Sequence, residues 1–220
     1  MLPNAAMQAK ACPAATTLLH WVGCPPVGGW PGGEYHTDAT GGEYIAIPEA
    51  RRVGVAVARL TGVEADTLEV EWGLFCGLPG QIQTVPRGEL YAIVMTVARL
   101  AWYTSVLFVT DSLPVHNGIV DHRCNGANSE LWRHLWHLVD KKEITLEVRW
   151  IKAHLDKTPW LIDTMGFSHR DVCGNFAADA LAGRAGKRAR SPMNEIQHCI
   201  KYPGVVQKIQ RRLVTLVTEI

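Results

Sequence analysis

Four acidic residues of this 220-residue chain stand beside apolar neighbours, where acids are uncommon. Asp38 closes a run of strand-forming residues in EYHTDATGG (34–42). Asp111 ends the apolar run SVLFVTDS (105–112). Glu89 falls in the first turn of a helical pattern in TVPRGELYAI (84–93), and Asp179 sits between alanines in GNFAADALAG (174–183). Each alone has a plain reading: Asp38 as a turn residue, Asp111 as a strand-end cap, Glu89 as an acid favoured by a helix dipole, Asp179 as a partner for Arg184. Together they point elsewhere. An ionised carboxylate taken out of water is costly unless it is paired or bound to metal. Converging acids repel one another and call for cations, and hard oxygen donors with room for water suit Mg²⁺ or Mn²⁺.

The elements that must position these acids can be read from periodicity. EYHTDA reads as a first strand, RRVGVAVARL (51–60) as a second with Val53, Val55 and Val57 alternating with small residues, and TLEVEWGLFCGL (67–78) as a third. Short turns make the three an antiparallel meander. Leu90, Ile93, Val94, Val97 and Ala101 then share one helical face, with Pro86 in the first turn. SVLFVT is a fourth, buried strand. NSELWRHLWHLVDKK (128–142) is a helix with Ser129 as N-cap, Leu131, Leu135 and Leu138 in one stripe, and Trp132 and Trp136 packed inward. ITLEVRWIKAH is a fifth strand with Ile144, Leu146, Val148 and Trp150 inward. GNFAADALAGRAG is a helix stopped by glycine. Three strands followed by strand–helix alternation predict an α/β fold: a mixed sheet with helices on its faces.

Residues 1–33, ending in CPPVGGWPGG, have the composition of a leader or linker. The segment after Lys187 is basic and holds a candidate amphipathic helix from about Val205 to Val217. With a net charge of +1 the chain is not a strongly basic nucleic-acid binder. The charge is uneven: residues 151–220 hold 11 Lys and Arg against 6 Asp and Glu, while residues 1–150 hold 11 against 15. Cys12, Cys24, Cys76, Cys124, Cys173 and Cys199 are scattered, which predicts free thiols and a reducing intracellular compartment, cytoplasmic or nuclear. No apolar run is long enough to span a bilayer.

The segments YHTDATGG, TVPRGELYAI, FVTDS, WIKAH and GNFAADALAG resemble, in order, the five motifs of type 1 ribonuclease H. The resemblance covers about residues 34–186, with 1–33 as leader and 187–220 as a basic tail. It implies a ribonuclease H-like, five-stranded sheet in the order 3-2-1-4-5, its first three strands antiparallel, with helices on both faces. It implies hydrolysis of the RNA strand of an RNA–DNA hybrid with two Mg²⁺ ions, or Mn²⁺. Asp38, Glu89, Asp111 and Asp179 would be the metal-binding carboxylates: Asp38 as the bridge, Asp111 on the water side, Glu89 and Asp179 on the other. His154 would be the mobile histidine near the scissile phosphate. Substrate contacts would come from backbone amides near Ala39, Thr40, Gly41 and Gly42, from Asn117, and from Asn175 before the last helix. Motif style and the leader are similar to the ribonuclease H region of a retroelement reverse transcriptase, which would make its polymerase domain a partner, or to a stand-alone relic of one.

The chain departs from that pattern in three places. The first motif has Ala39 where a glycine is usual. The connection after the fourth strand leaves no room for the basic helical protrusion that bacterial members use to grip hybrid. Residues 155–172 read as an insertion, a lid with Trp160 or Phe167 packing on the body, and His169 competes with His154. Phosphate contacts from the Lys/Arg-rich segment 184–190 would make binding salt-sensitive. Two other functions share the fold: a non-catalytic hybrid- or RNA-binding module, and another nuclease of transposase-like or exonuclease type.

Overall fold

The computed structural model describes residues 18–48, 50–62, 67–153, 164, 166–194, 196–197 and 208–212. Its centre is strand β2 (Gly33–Thr40), in which every residue from His36 to Ala39 is buried. Such a run, without inside–outside alternation, marks a strand covered on both faces. Strands β3 (Gly54–Thr61) and β4 (Glu69–Gly77) follow it as an antiparallel meander. On the other side of β2 lie β5 (Ser105–Thr110) and β6 (Thr145–Trp150), both parallel to it. These five strands take the order β4-β3-β2-β5-β6, which is the expected 3-2-1-4-5.

A sixth strand precedes them. β1 (His20–Gly23) pairs antiparallel with β4, in a stretch that reads as linker by composition. Aromatic packing holds it there. Trp21 lies against Trp30 and Trp72, and the Trp30 and Trp72 rings meet edge-on at 4.5 Å. Trp30 is buried, and its backbone exchanges hydrogen bonds with Arg99 and Ala101. Glycines and prolines around these two tryptophans hide the signal from a periodicity reading.

Helix α1 (Val85–Arg99) crosses one face of the sheet with Leu90, Ile93, Val94 and Val97 buried, and Pro86 lies in its first turn. The next helix, α2 (Leu113–Val120), occupies LPVHNGIV, a segment the sequence reading leaves as a connection. α3 (Ser129–Lys142) packs beside α1 and buries Trp132, Leu135 and Trp136. Asn128, not Ser129, takes its N-cap position, in the left-handed conformation that asparagine tolerates. His134 and His137 are exposed. Lys142, at the end of α3, donates to the carbonyls of Val97, Ala98 and Leu100 at 3.1, 2.7 and 2.7 Å, so it closes the C-terminus of α1. In β6 the expected alternation holds, with Leu146, Val148 and Trp150 half-buried at the sheet edge.

The opposite face belongs to α4 (His169–Ala189), which packs Ala178, Leu181, Ala182 and Ala185 on Ala56, Ala58 and Phe75. It starts before Gly174 and runs through Gly183 and Gly186, so glycine does not stop it. Ser168 caps it. The Ser168 hydroxyl accepts from the Asp171 N–H at 3.0 Å, and the Asp171 carboxylate accepts from the Ser168 N–H at 3.1 Å. Arg149 of β6 donates to Asp171 Oδ1 at 2.8 Å, and Arg170 ties Glu34 to the carbonyls of Leu60 and Gly62. Ser168→Ala removes the cap and should cost about 1 kcal/mol, measured as a lower urea midpoint at unchanged slope.

Phe167 meets Trp150 edge-on at 6.5 Å; Trp160 and most of the expected lid lie outside the described residues. Residues 208–212 are helical, and the rest of the expected tail helix is outside as well. Cys24, Cys76, Cys124 and Cys173 are free thiols. Among the described residues no helix is long and apolar enough to cross a membrane.

Candidate active site

The register of two parallel strands places the first pair of acids. Thr37 of β2 is the partner of Thr110 of β5. The next residue on each strand is therefore Asp38 and Asp111, side by side where the sheet opens. Trp150 steadies the second by donating its indole N–H to the Asp111 carbonyl at 3.0 Å.

Glu89 arrives from above. It sits one turn inside α1, past the first turn where the sequence reading has it. A side chain at position 88 would collide with Val53 and Ala39, at 2.6 and 2.8 Å from an added Cβ; glycine there lets α1 lie close on β2 and β3. Glu89 Oε1 then accepts the Ala39 N–H at 2.9 Å. The amide expected to face a substrate thus anchors a carboxylate instead.

Ligand oxygens of Asp38, Glu89 and Asp111 lie within 4.8 Å of one another. Asp38 and Glu89 are buried, Asp111 half-buried. Burial first, then the negative charges of Asp111 and Asp179, push the Asp38 carboxyl up to about 7. Glu89 is raised well above the usual carboxylate range, by burial and then by Asp38 and Asp111. Its Oε2 is buried without a hydrogen-bond partner.

The three acids line a cleft of about 520 Å³. Ala39, Thr40, Gly41, Ile45 and Val85 line it as well, together with residues of α4. Asp179 reaches the cleft from α4 but is exposed, so the burial argument made for it from its alanine neighbours does not hold. It also makes no ion pair with Arg184, which lies over the Phe75 ring. Asn175 lines the cleft from inside α4, not from before it, and its Oδ1 is buried without a partner. Gly42, next in sequence to Gly41, does not line the cleft. Asn117 lies apart, exposed on α2, with Oδ1 3.0 Å from His116 Nδ1. His154 is outside the described residues, and His169, the first residue of α4, is exposed and does not line the cleft.

The sequence reading missed Ile45, Cys173 and Phe176, which also line the cleft; Phe176 is 61% exposed. A signal for the two on α4 was present. Ser168-His-Arg-Asp171 is a capping-box pattern, and starting the helix there puts Cys173, Phe176 and Asp179 at three-residue spacing.

No protein-family model matches this chain. No curated protein matches it either. Among solved structures, the N-terminal RNase H domain of Rv2228c from Mycobacterium tuberculosis, determined as a fusion with maltose binding protein, is similar at a TM-score of 0.45 and 16% identity. The match covers 71% of this chain and 95% of that one. In its own strand order and directions, the sheet described above has the RNase H-like topology, with β1 as an extra strand.

Proposed function

We propose that this chain is a metal-dependent nuclease that hydrolyses the RNA strand of RNA–DNA hybrids, leaving 5′-phosphate and 3′-hydroxyl ends. The observation that carries this is the meeting of Asp38, Glu89 and Asp111 within 4.8 Å on the wall of an open cleft. A protein that only bound nucleic acid would gain nothing by concentrating negative charge where a phosphate must approach.

The donor set fits a divalent cation. All three groups are hard oxygens, and the partnerless Glu89 Oε2 is an acceptor left over inside the cluster. Asp38, Glu89 and Asp111, with Asp179 from α4, would hold Mg²⁺ or Mn²⁺. Bound in a pair, such ions activate a water and stabilise the departing oxygen of a phosphodiester. The chain's own contribution is to fix the carboxylates. The β2–β5 register sets two of them, and the Ala39 N–H orients the third.

Selection of RNA would come from the 2′-hydroxyl, a donor that DNA lacks. Asn175 supports this reading, because it lines the cleft and its buried Oδ1 has no partner of its own. His154 remains our candidate for proton transfer or product departure, as a group that titrates near neutrality.

The test is cleavage of end-labelled RNA–DNA hybrid, duplex DNA and duplex RNA, with Mg²⁺ and with EDTA. Hybrid should be cut in its RNA strand with Mg²⁺ and left intact with EDTA. Cleavage of duplex DNA with hybrid untouched would overturn the assignment in favour of another nuclease of this fold. Tight hybrid binding without cleavage would favour a binding module.

A further inference from the structure

Among the described residues, five arginines are neutralised by acids. Arg59, Arg87, Arg149, Arg170 and Arg190 each contact a carboxylate: Glu71, Glu130, Asp171, Glu34 and Glu43 respectively. Arg184 and Arg188 differ. They lie one turn apart on α4, both exposed, and among the described residues neither has an acidic partner within 4.0 Å. Instead both guanidiniums are drawn to one ring. Their central carbons stand 4.8 and 5.7 Å from the centroid of Phe75. His20, from the extra strand β1, closes the group: its ring is 5.3 Å from Phe75, and its Nδ1 is 3.4 Å from Arg188 Nη1, which donates to it. Lys187 is exposed on the same turn of α4.

Two like charges gathered on one ring repel each other, which the ring's attraction for each of them offsets. An anion between them would use the arrangement fully, since guanidinium forks match phosphate oxygens. We propose that Arg184 and Arg188, held on Phe75 with His20, are a second contact for the backbone phosphates of the nucleic-acid substrate, outside the cleft. The inference rests on the nuclease reading above. Along α4 the pair begins five residues beyond Asp179 and ends nine beyond, about 7.5 and 13.5 Å at 1.5 Å per residue. At 3.6 residues per turn those steps also carry the pair about 140° and 180° around the helix from Asp179, so a strand reaches it only by passing over α4, a path longer than the axial rise alone. The strand leaving the cleft therefore crosses the C-terminal half of α4. From β1, His20 joins this group.

A packing role for the same arginines, with their stems merely covering Phe75, is physically reasonable, so the test must read charge. Binding of labelled hybrid is measured in an Asp38→Asn background, which blocks cleavage, between 50 and 200 mM salt. Replacing both arginines (R184Q/R188Q) should flatten the dependence of log affinity on log salt by about 1.8, at about 0.9 per phosphate contact. Its affinity deficit is then roughly tenfold larger at 50 mM than at 200 mM salt. R184K/R188K should keep the full slope, and so should R133Q/K141Q on α3 at the opposite face of the sheet. An unchanged slope in R184Q/R188Q overturns the inference. If that double variant fails to fold, R184Q alone should flatten the slope by about 0.9, and no change there overturns it equally. Failure of the Asp38→Asn protein with both arginines intact to bind hybrid at any salt would sink the hybrid reading itself, and this inference with it.

Discussion

Asp38→Asn should make the metal-free protein more stable and abolish the proposed hybrid cleavage. In the folded protein, burial and the Asp111 and Asp179 charges push the Asp38 carboxyl up to about 7. The native state therefore binds this proton more tightly than the unfolded chain does. The stability this proton contributes is fully present below the ordinary aspartate value, near 4, and is lost as pH rises through about 7. At pH 8 the ionised cluster is thus a burden on the fold. A rise of that size would be worth about 4 kcal/mol for an isolated group, a ceiling here because the three carboxyls share their protons. The neutral amide should recover about 1–3 kcal/mol of it, a rise of roughly 2–4 °C per kcal/mol in a domain of this size. Thermal melts in EDTA at pH 5 and pH 8 check the sign: the unsubstituted protein should melt lower at pH 8, and Asp38→Asn should flatten the difference. Mg²⁺ should restore the unsubstituted protein at pH 8 and do little for the variant. Glu34 does not confuse this window, because its carboxyl, held by His36 and Arg170, is lowered to about 2. Hybrid cleavage should fall by more than about 100-fold, beyond what losing an outer-shell partner of a metal costs. An Asn variant that is less stable at pH 8 in EDTA would show that the acids are not strained together.

Gly54→Ala carries the largest expected structural effect. Position 54 of β3 lies directly beneath α4, and an added Cβ would overlap the Ala182 carbonyl oxygen and the Gly186 nitrogen. Both are backbone atoms of one helix, so no side-chain rotation relieves the clash and α4 must rise. Overpacking of this kind should cost about 3 kcal/mol. The functional consequence is selective. Asp38, Glu89 and Asp111 sit on β2, α1 and the end of β5, whereas Asp179 sits on the displaced helix. Cleavage should drop more steeply than the fraction of folded protein, while Mn²⁺ binding to the three remaining acids persists in calorimetry. Gly183→Ala is the counterpart on the same helix. Nothing lies within 4 Å of a Cβ there, so it should stabilise by roughly 0.5–1 kcal/mol through helix propensity alone. Equal losses in the two variants would refute the close-approach argument.

The five-stranded core was legible because each strand is long enough to show its pattern. Val55 and Val57 point to the α1 face, and Ala56 and Ala58 to the α4 face; the valine–small alternation of β3 records two layers with different closeness of approach. The meeting of Asp38 and Asp111 follows once β2 and β5 are neighbours. What stayed hidden was short or composed against type. β1 spans four residues, with Trp21 and Trp30 doing in packing what length does elsewhere. α2 carries a proline and a glycine in eight residues. The exposure of Asp179 could not be read from its alanines: neighbours in sequence on a helix point to different sides. Nor could the use of the Ala39 amide by Glu89, a contact across fifty positions.

The mixed directions of the sheet also bear on how the chain reaches this state. β3 and β4 follow β2 directly in the chain and close on it in turn, whereas β5 must travel back past α1 to join the opposite edge of β2 in parallel. Entropy favours the local closures first. The meander is thus formed while Asp111 is still distant, and electrostatic crowding is deferred to the step that docks β5. Refolding without divalent ions should then have a barrier that grows with alkalinity, while unfolding should quicken little. Magnesium would act as a late clamp on the chain, sealing the join between its early and late halves.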